Sequence, residues 1–232
     1  MNLHRMLLER KAAGRPVTVG IVGAGKFGTM YLTQARLTDG VHIVGVADLN
    51  LARARSQLTM ASWPEAQYGA TSWDDALKTG KTFLTTDAEA MIKHPAIEVI
   101  IEATGDPRTG IRLAQLCIAN GKHVVMVNVE ADAVAGPILA RQAKQAGVVY
   151  SLAWGDQPAM ICEQVDWARA NGFNVVAAGK GTRYHPTYHK STPETVWDIL
   201  DKYLKIDNRQ SINPKMFNSF VDGTKSGIEM TA

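Results

Sequence analysis

An apolar run, Val17-Thr-Val-Gly-Ile-Val22, leads without a break into Gly23-Ala-Gly25-Lys26-Phe27-Gly28 and then into the helix-like stretch Thr29–Leu37. A second apolar run, Val41–Ala47, ends on Asp48, twenty residues after Gly28. This succession of strand, glycine turn, helix, strand and acid constrains the fold more than any other feature, because it demands a parallel βαβ unit. Gly23 permits a sharp turn, Gly25 lets backbone approach a pyrophosphate, and Gly28 lets helix pack closely on strand. The helix N-terminus offers unpaired N–H groups to that anion, with Lys26 and Phe27 in its first turn. Asp48 stands where a carboxylate accepts hydrogen bonds from an adenosine ribose. The pattern implies a dinucleotide, NAD or NADP. Asp48 repels a 2′-phosphate and so favours NAD, whereas Arg53 and Arg55, one turn further on, can neutralise that phosphate and admit NADP.

Strand and helix patterns then alternate to about Tyr150. Lys81–Thr85 reads as a third strand, and Thr86-Asp-Ala-Glu89 as a capping box opening a helix. Ala96–Glu102 is a short, β-branched buried strand. Thr109–Asn120 is a helix, His123–Val129 a strand, Gly136–Gln145 a helix and Gly147–Leu152 the sixth strand. This alternation predicts an α/β fold, a Rossmann-type doubly wound parallel sheet, over residues 1–155. Ser62–Lys81 exceeds a minimal unit and reads as an insertion on the adenosine side. Residues 156–232 read as the start of an incomplete α+β catalytic domain: a helix at Ala159–Asn171, a strand at Phe173–Gly179, and weaker patterning beyond. The chain is expected to stop inside a half-formed strand with no terminal helix, as a truncated domain would.

Ligands of open parallel sheets bind outside the carboxyl ends of the strands. Three ends carry candidates. Glu102-Ala-Thr104-Gly105 offers small residues to a nicotinamide ribose. Asn128-Val-Glu130-Ala-Asp132 places two carboxylates two residues apart, which can hold a divalent cation, cap the next helix or be solvated. Trp154-Gly-Asp156-Gln157 collects polar groups. Further on, Lys180, between Gly179 and Gly181 at the end of an apolar run, is a candidate anion binder or proton donor. His185 and His189 are separated by Pro186, which argues against a paired ligand set on one helical turn.

The 232 residues carry a net charge of +3 with no cluster of basic side chains, which points to neither a nucleic acid nor a membrane as partner. Two cysteines, Cys117 and Cys162, read as buried free thiols of a reducing compartment, and no signal peptide is apparent, so a cytoplasmic location is expected.

Phe83–Asp87 through Ile100–Gly105 resembles the cofactor domain of glucose–fructose oxidoreductase-like and homoserine-dehydrogenase-like groups. Asn128-Val-Glu-Ala-Asp132, Gly155-Asp-Gln-Pro-Ala159, Gly179-Lys-Gly-Thr182 and Asn213-Pro-Lys-Met-Phe-Asn218 most resemble one subgroup. Its members are homoserine-dehydrogenase-like oxidoreductases with a C-terminal SAF domain, and it includes a deoxyxylulose-phosphate reductoisomerase-like enzyme. The resemblance implies an NAD(P)-dependent homo-oligomer acting on a small polar or phosphorylated substrate. Lys180 and Asp156 would be catalytic, with Gln157, Arg183, Asn218 and Lys225 binding substrate. Val129 departs from homoserine dehydrogenases, which carry lysine after the asparagine.

Overall fold

The structure, a computed structural model, describes residues 2–181, 185–203, 209 and 213–232. It divides into two compact units, Met1–Ala153 and Trp154–Ala232. In the first, β1 (Val17–Val22), β2 (Val41–Ala47), β3 (Phe83–Thr85), β4 (Val99–Glu102), β5 (His123–Met126) and β6 (Tyr150–Leu152) form one parallel sheet. Its order is β3-β2-β1-β4-β5-β6, so the direction of winding reverses between β1 and β4. Among the described residues, seven α-helices accompany it: α1 (Leu3–Ala12), α2 (Lys26–Ala35), α3 (Leu51–Met60), α4 (Trp73–Thr79), α5 (Ala88–Lys93), α6 (Pro107–Ala119) and α7 (Val129–Ala146).

Successive strand residues point to opposite faces. Ile21 and Ile101 enter a core with Leu32, Leu58 and Trp63, while Val22 and Ile100 enter another with Met91, Leu113, Met126 and Leu139. Burial on both faces is why the strands read as unbroken apolar runs. Helix α1 has no fully buried residue, though its half-buried Leu7 lies against Gly40, where a Cβ would run into the Leu7 carbonyl oxygen. It is held by Arg10, which donates to both carboxylate oxygens of Glu98 at 2.8 and 2.9 Å, and by a Lys11–Asp39 ion pair.

Several local expectations are corrected. Strand β5 ends at Met126 because the Asn128 side chain accepts from the Ala131 N–H at 3.2 Å and caps a helix that starts at Val129, not Gly136. Pro137, which mimics a helix start, lies inside α7. Glu130 and Asp132 therefore sit in the first helical turn and not at a strand end. Helix α5 is capped by Asp87, which accepts from the Ala90 N–H at 2.8 Å, and not by Thr86. The Ser62–Lys81 segment builds a 3-10 turn (Glu65–Tyr68) and α4. Trp63 donates its indole N–H to the Leu32 carbonyl at 2.8 Å, and Trp73 meets Phe83 edge-on at 4.7 Å. The segment thus packs core.

The second unit holds α8 (Gln157–Ala170), a 3-10 turn (Tyr188–Lys190), α9 (Val196–Tyr203), α10 (Pro214–Val221) and α11 (Thr224–Thr231). Phe173–Gly179 is not a strand: it is irregular, with Val176 90% exposed, because a strand exists only with a partner for its backbone groups. The final residues form α11 and not a half-formed strand; Gly223 at φ +90° precedes it. Cys117 is buried as expected, but Cys162 is exposed on α8, which buries only Pro158. Among the described residues, no helix is long and apolar enough to cross a membrane.

Candidate functional site

A cleft of about 590 Å³ opens in the first unit at the carboxyl ends of the strands. It is floored by Val22, Gly23 and Gly25, flanked by Asp48 and Arg53 on one side and Thr104 and Asp106 on the other, and closed by Asp87, Glu89 and Arg112. It therefore straddles the β1/β4 reversal, where parallel sheets leave a crevice between oppositely directed crossovers. The glycines divide their work as their spacing predicts. Gly23 adopts φ +100°, and a Cβ there would stand 2.5 Å from the Ala103 carbonyl oxygen. A Cβ on Gly28 would stand 2.5 Å from the Gly23 carbonyl oxygen, so α2 lies on the turn itself. A Cβ on Gly25 would meet nothing within 4 Å; it borders open space in the cleft.

Gly25 is also the N-cap of α2 and supplies no side-chain cap. The first N–H groups of that helix are left for an anion, and the helix dipole favours one. A dinucleotide pyrophosphate fits this cradle. Lys26 is exposed in the first turn, while Phe27 is half-buried against the core and does not line the cleft.

Asp48 is buried to 5% exposure, yet its carboxylate is fully engaged. The Ala24 and Asn50 N–H groups each donate to it at 2.8 Å, and Arg53 Nη2 reaches both oxygens at 2.8 Å. Burial alone would raise its pKa, but the Asn50, Arg53 and Ala24 donors outweigh burial and hold it below the usual carboxylate range. Asp48 and Arg53 thus form one element at the lip, a carboxylate for ribose hydroxyls beneath a half-exposed guanidinium. Opposite, Glu89 and Arg112 pair at 2.5 Å. Sequence reading missed this pair, since nothing marks Arg112 within its helix.

At the other end, Thr104 lines the cleft and Gly105 is exposed in the turn beside it. Asn128 does not line the cleft; its amide donates to the Asp106 carbonyl at 2.9 Å and props the turn from behind. Glu130 is half-buried on α7, and Asp132 turns into the core, accepting from the Tyr150 hydroxyl at 2.7 Å. That orientation removes Asp132 from a carboxylate pair that could hold a cation. Among the described residues no group of three or more His, Cys, Asp or Glu is placed to hold a metal.

In the second unit, Asp156 caps α8 and Gln157 is exposed at its start. Lys180 is ion-paired with Glu229 of α11, both largely buried. Asn218 is buried on α10 and consumed internally: it accepts from Ser191 Oγ at 2.7 Å and donates to the Ser191 carbonyl and to Asp222. Lys225 is half-buried on α11. Arg183 lies outside the described residues.

Residues 17–127 match the family model described as oxidoreductase family, NAD-binding Rossmann fold, and residues 155–232 match that described as oxidoreductase DRL, catalytic domain. The first match falls within the first unit and the second within the second unit. It is 31% identical over 123 residues to a homoserine dehydrogenase of Methylobacillus glycogenes, covering 49% of this chain and 25% of that protein. Among solved structures it is similar to a homoserine dehydrogenase from Thiobacillus denitrificans (26% identity, TM-score 0.47, 60% of this chain and 29% of that one). It is also similar to myo-inositol dehydrogenase from Lactobacillus casei, solved with NAD(H) and myo-inositol (13% identity, TM-score 0.48, 66% and 42%). The chain spans a quarter of the length of the curated relative it matches.

Proposed function

We propose that this protein is an NAD(P)-dependent oxidoreductase that interconverts a carbonyl and an alcohol on a small polar or phosphorylated substrate. The observation that carries this reading is the cleft at the β1/β4 reversal, where an uncapped helix N-terminus, open space at Gly25 and the buried Asp48 converge. A nicotinamide, when bound, supplies the hydride donor or acceptor. The chain binds and orients it: α2 N–H groups hold the pyrophosphate, Asp48 accepts from ribose hydroxyls once Arg53 swings off its carboxylate, and the Thr104–Asp106 turn borders the far end.

The finer reading is a reductoisomerase-like reaction, in which a deoxypentulose phosphate rearranges to an aldehyde that is reduced. It rests on the resemblance of the Gly155–Ala159 and Asn213–Asn218 signatures; the match of residues 155–232 supports oxidoreductase chemistry alone. In that reaction Lys180 would stabilise developing negative charge on oxygen; its pairing with Glu229 requires it to exchange that partner for substrate. The 31% identity to a homoserine dehydrogenase favours a second reading, homoserine oxidation, against which Val129 stands.

Thermal melts with NADH and NADPH, followed by nicotinamide absorbance with 1-deoxyxylulose 5-phosphate or with homoserine, separate these readings. A melt stabilised by either nucleotide supports the cofactor cleft. Turnover of one substrate selects its reading. No stabilisation by either nucleotide overturns the proposal.

A further inference from the structure

Glu102 ends β4 directly behind the cleft and is 1% exposed. Its Oε1 accepts from the Thr104 N–H at 3.0 Å. Its Oε2, fully buried, has no hydrogen-bond partner among the described residues. A carboxyl oxygen left so costs stability, about 1–3 kcal/mol for a buried unsatisfied group. Sequence placed this side chain in plain view, an acid closing the apolar run Val99-Ile-Ile-Glu102, yet assigned it no role.

What Glu102 touches is the wall of the cleft. Thr104 and Asp106 line that wall. The turn they form is gripped twice, by Glu102 at the Thr104 N–H and by the Asn128 amide at the Asp106 carbonyl. The two grips are adjacent: a Cβ on Gly110 of α6 would stand 2.7 Å from Asn128 Nδ2 and 2.9 Å from Glu102 Oε2. Carboxyl, amide and turn therefore form one connected unit, with a glycine giving it room.

We propose, resting on the reading of the cleft as an NAD(P) site, that Glu102 is a positioning residue whose grip on the Thr104–Asp106 turn shapes the backbone that meets the nicotinamide half of the cofactor. It touches neither cofactor nor substrate and acts through the turn. Burial, partly opposed by Thr104 and the nearby Asn128 amide, raises its carboxyl pKa, so the packing favours the neutral acid. Ionisation places a charge on Oε2 that draws the neighbouring Asn128 Nδ2 toward it, away from Thr104 Oγ1 at 3.5 Å, and so alters the amide's grip on the turn. Of the groups around Glu102, burial also raises the carboxyl of Asp132, so the comparison with Glu102→Gln is what assigns a titration to Glu102. The Cys117 thiol of α6 is pushed up to about 12, and burial raises the Tyr150 hydroxyl of β6. Asp132 of α7 is bonded to Tyr150, and Asp106 in the turn is held low by Thr109. In register on either side stand Val22 of β1 and Met126 of β5.

The test is titration of the full chain with NADH and with NADPH, read by nicotinamide fluorescence between about pH 5.5 and 9, for wild type, Glu102→Gln and Glu102→Met. Gln keeps an acceptor for Thr104 and cannot ionise. Wild-type affinity is expected to fall about tenfold as pH rises, while Glu102→Gln holds its acid-side affinity throughout. Glu102→Met is expected to bind about tenfold more weakly at every pH. Superimposable pH profiles for wild type and Glu102→Gln overturn the inference, and that comparison stands even if Glu102→Met does not fold. Binding of neither nucleotide to wild type overturns the cofactor reading itself.

Discussion

Arg53→Ala isolates the cofactor choice at the lip of the cleft. The guanidinium contacts both oxygens of Asp48, but Arg53 is 54% exposed, so solvent screens much of the pairing. Asp48 keeps the Ala24 and Asn50 N–H donors when Arg53 is removed. The stability cost should therefore stay at or below about 1 kcal/mol, as for exposed ion pairs. That corresponds to a fall of about 2–4 °C in melting temperature. Binding should split by cofactor. A 2′-phosphate loses a charge-assisted partner worth about 1.5–3 kcal/mol and is left facing an unshielded Asp48, so NADPH should weaken by about 10- to 100-fold. NADH should bind as well as before or slightly better, because Asp48 is released toward the ribose hydroxyls. Fluorescence titration with both nucleotides measures the ratio directly. A parallel loss for NADH and NADPH, or no loss for NADPH, would refute the division of labour between Asp48 and Arg53.

Gly28→Ala puts a Cβ 2.5 Å from the Gly23 carbonyl oxygen; overpacking of this kind should cost about 1–3 kcal/mol, seen in denaturant melts together with weakened nucleotide binding. Lys180→Met leaves Glu229 buried without its cation and should destabilise the second unit by about 3–5 kcal/mol, whereas Lys180→Met with Glu229→Leu should recover most of that; a single variant as stable as wild type would show that the pair does not hold α11. Asp48 has a depressed folded-state pKa, so its contribution is present above its unfolded value of about 3.9 and is lost as pH falls through the lower folded value. Acid-side urea melts of wild type should thus converge on those of Asp48→Asn as pH drops.

The Rossmann portion was legible because both of its signals are local. Apolar runs report strands buried on two faces, and Gly23 and Gly28 have no room for a side chain against neighbouring backbone, while Gly25 opens onto the cleft. Boundaries were harder where two rules compete. Pro137 looks like a helix start, yet Asn128 caps the same helix more than two turns earlier. The Phe173–Gly179 segment shows the limit of pattern reading: apolar alternation states that a segment suits a sheet, not that a neighbouring strand exists to receive it. Of the site, Gly23, Gly25, Asp48, Arg53 and Thr104 were named from sequence and line one cleft. Arg112, Glu89 and the role of Glu102 depend on contacts between distant elements, which no spacing along the chain encodes.

Helix α1 carries a consequence of its own. Because it fully buries no residue and is clasped by two exposed ion pairs, its attachment responds to ionic strength more than does the sheet beneath it. Added salt weakens the Arg10–Glu98 and Lys11–Asp39 clasps while leaving the two cores intact. Detachment of α1 is then a local opening, uncoupled from global unfolding. In such a state the backbone around Arg15 and Pro16 becomes the first point a protease can reach, ahead of any cleavage within the sheet.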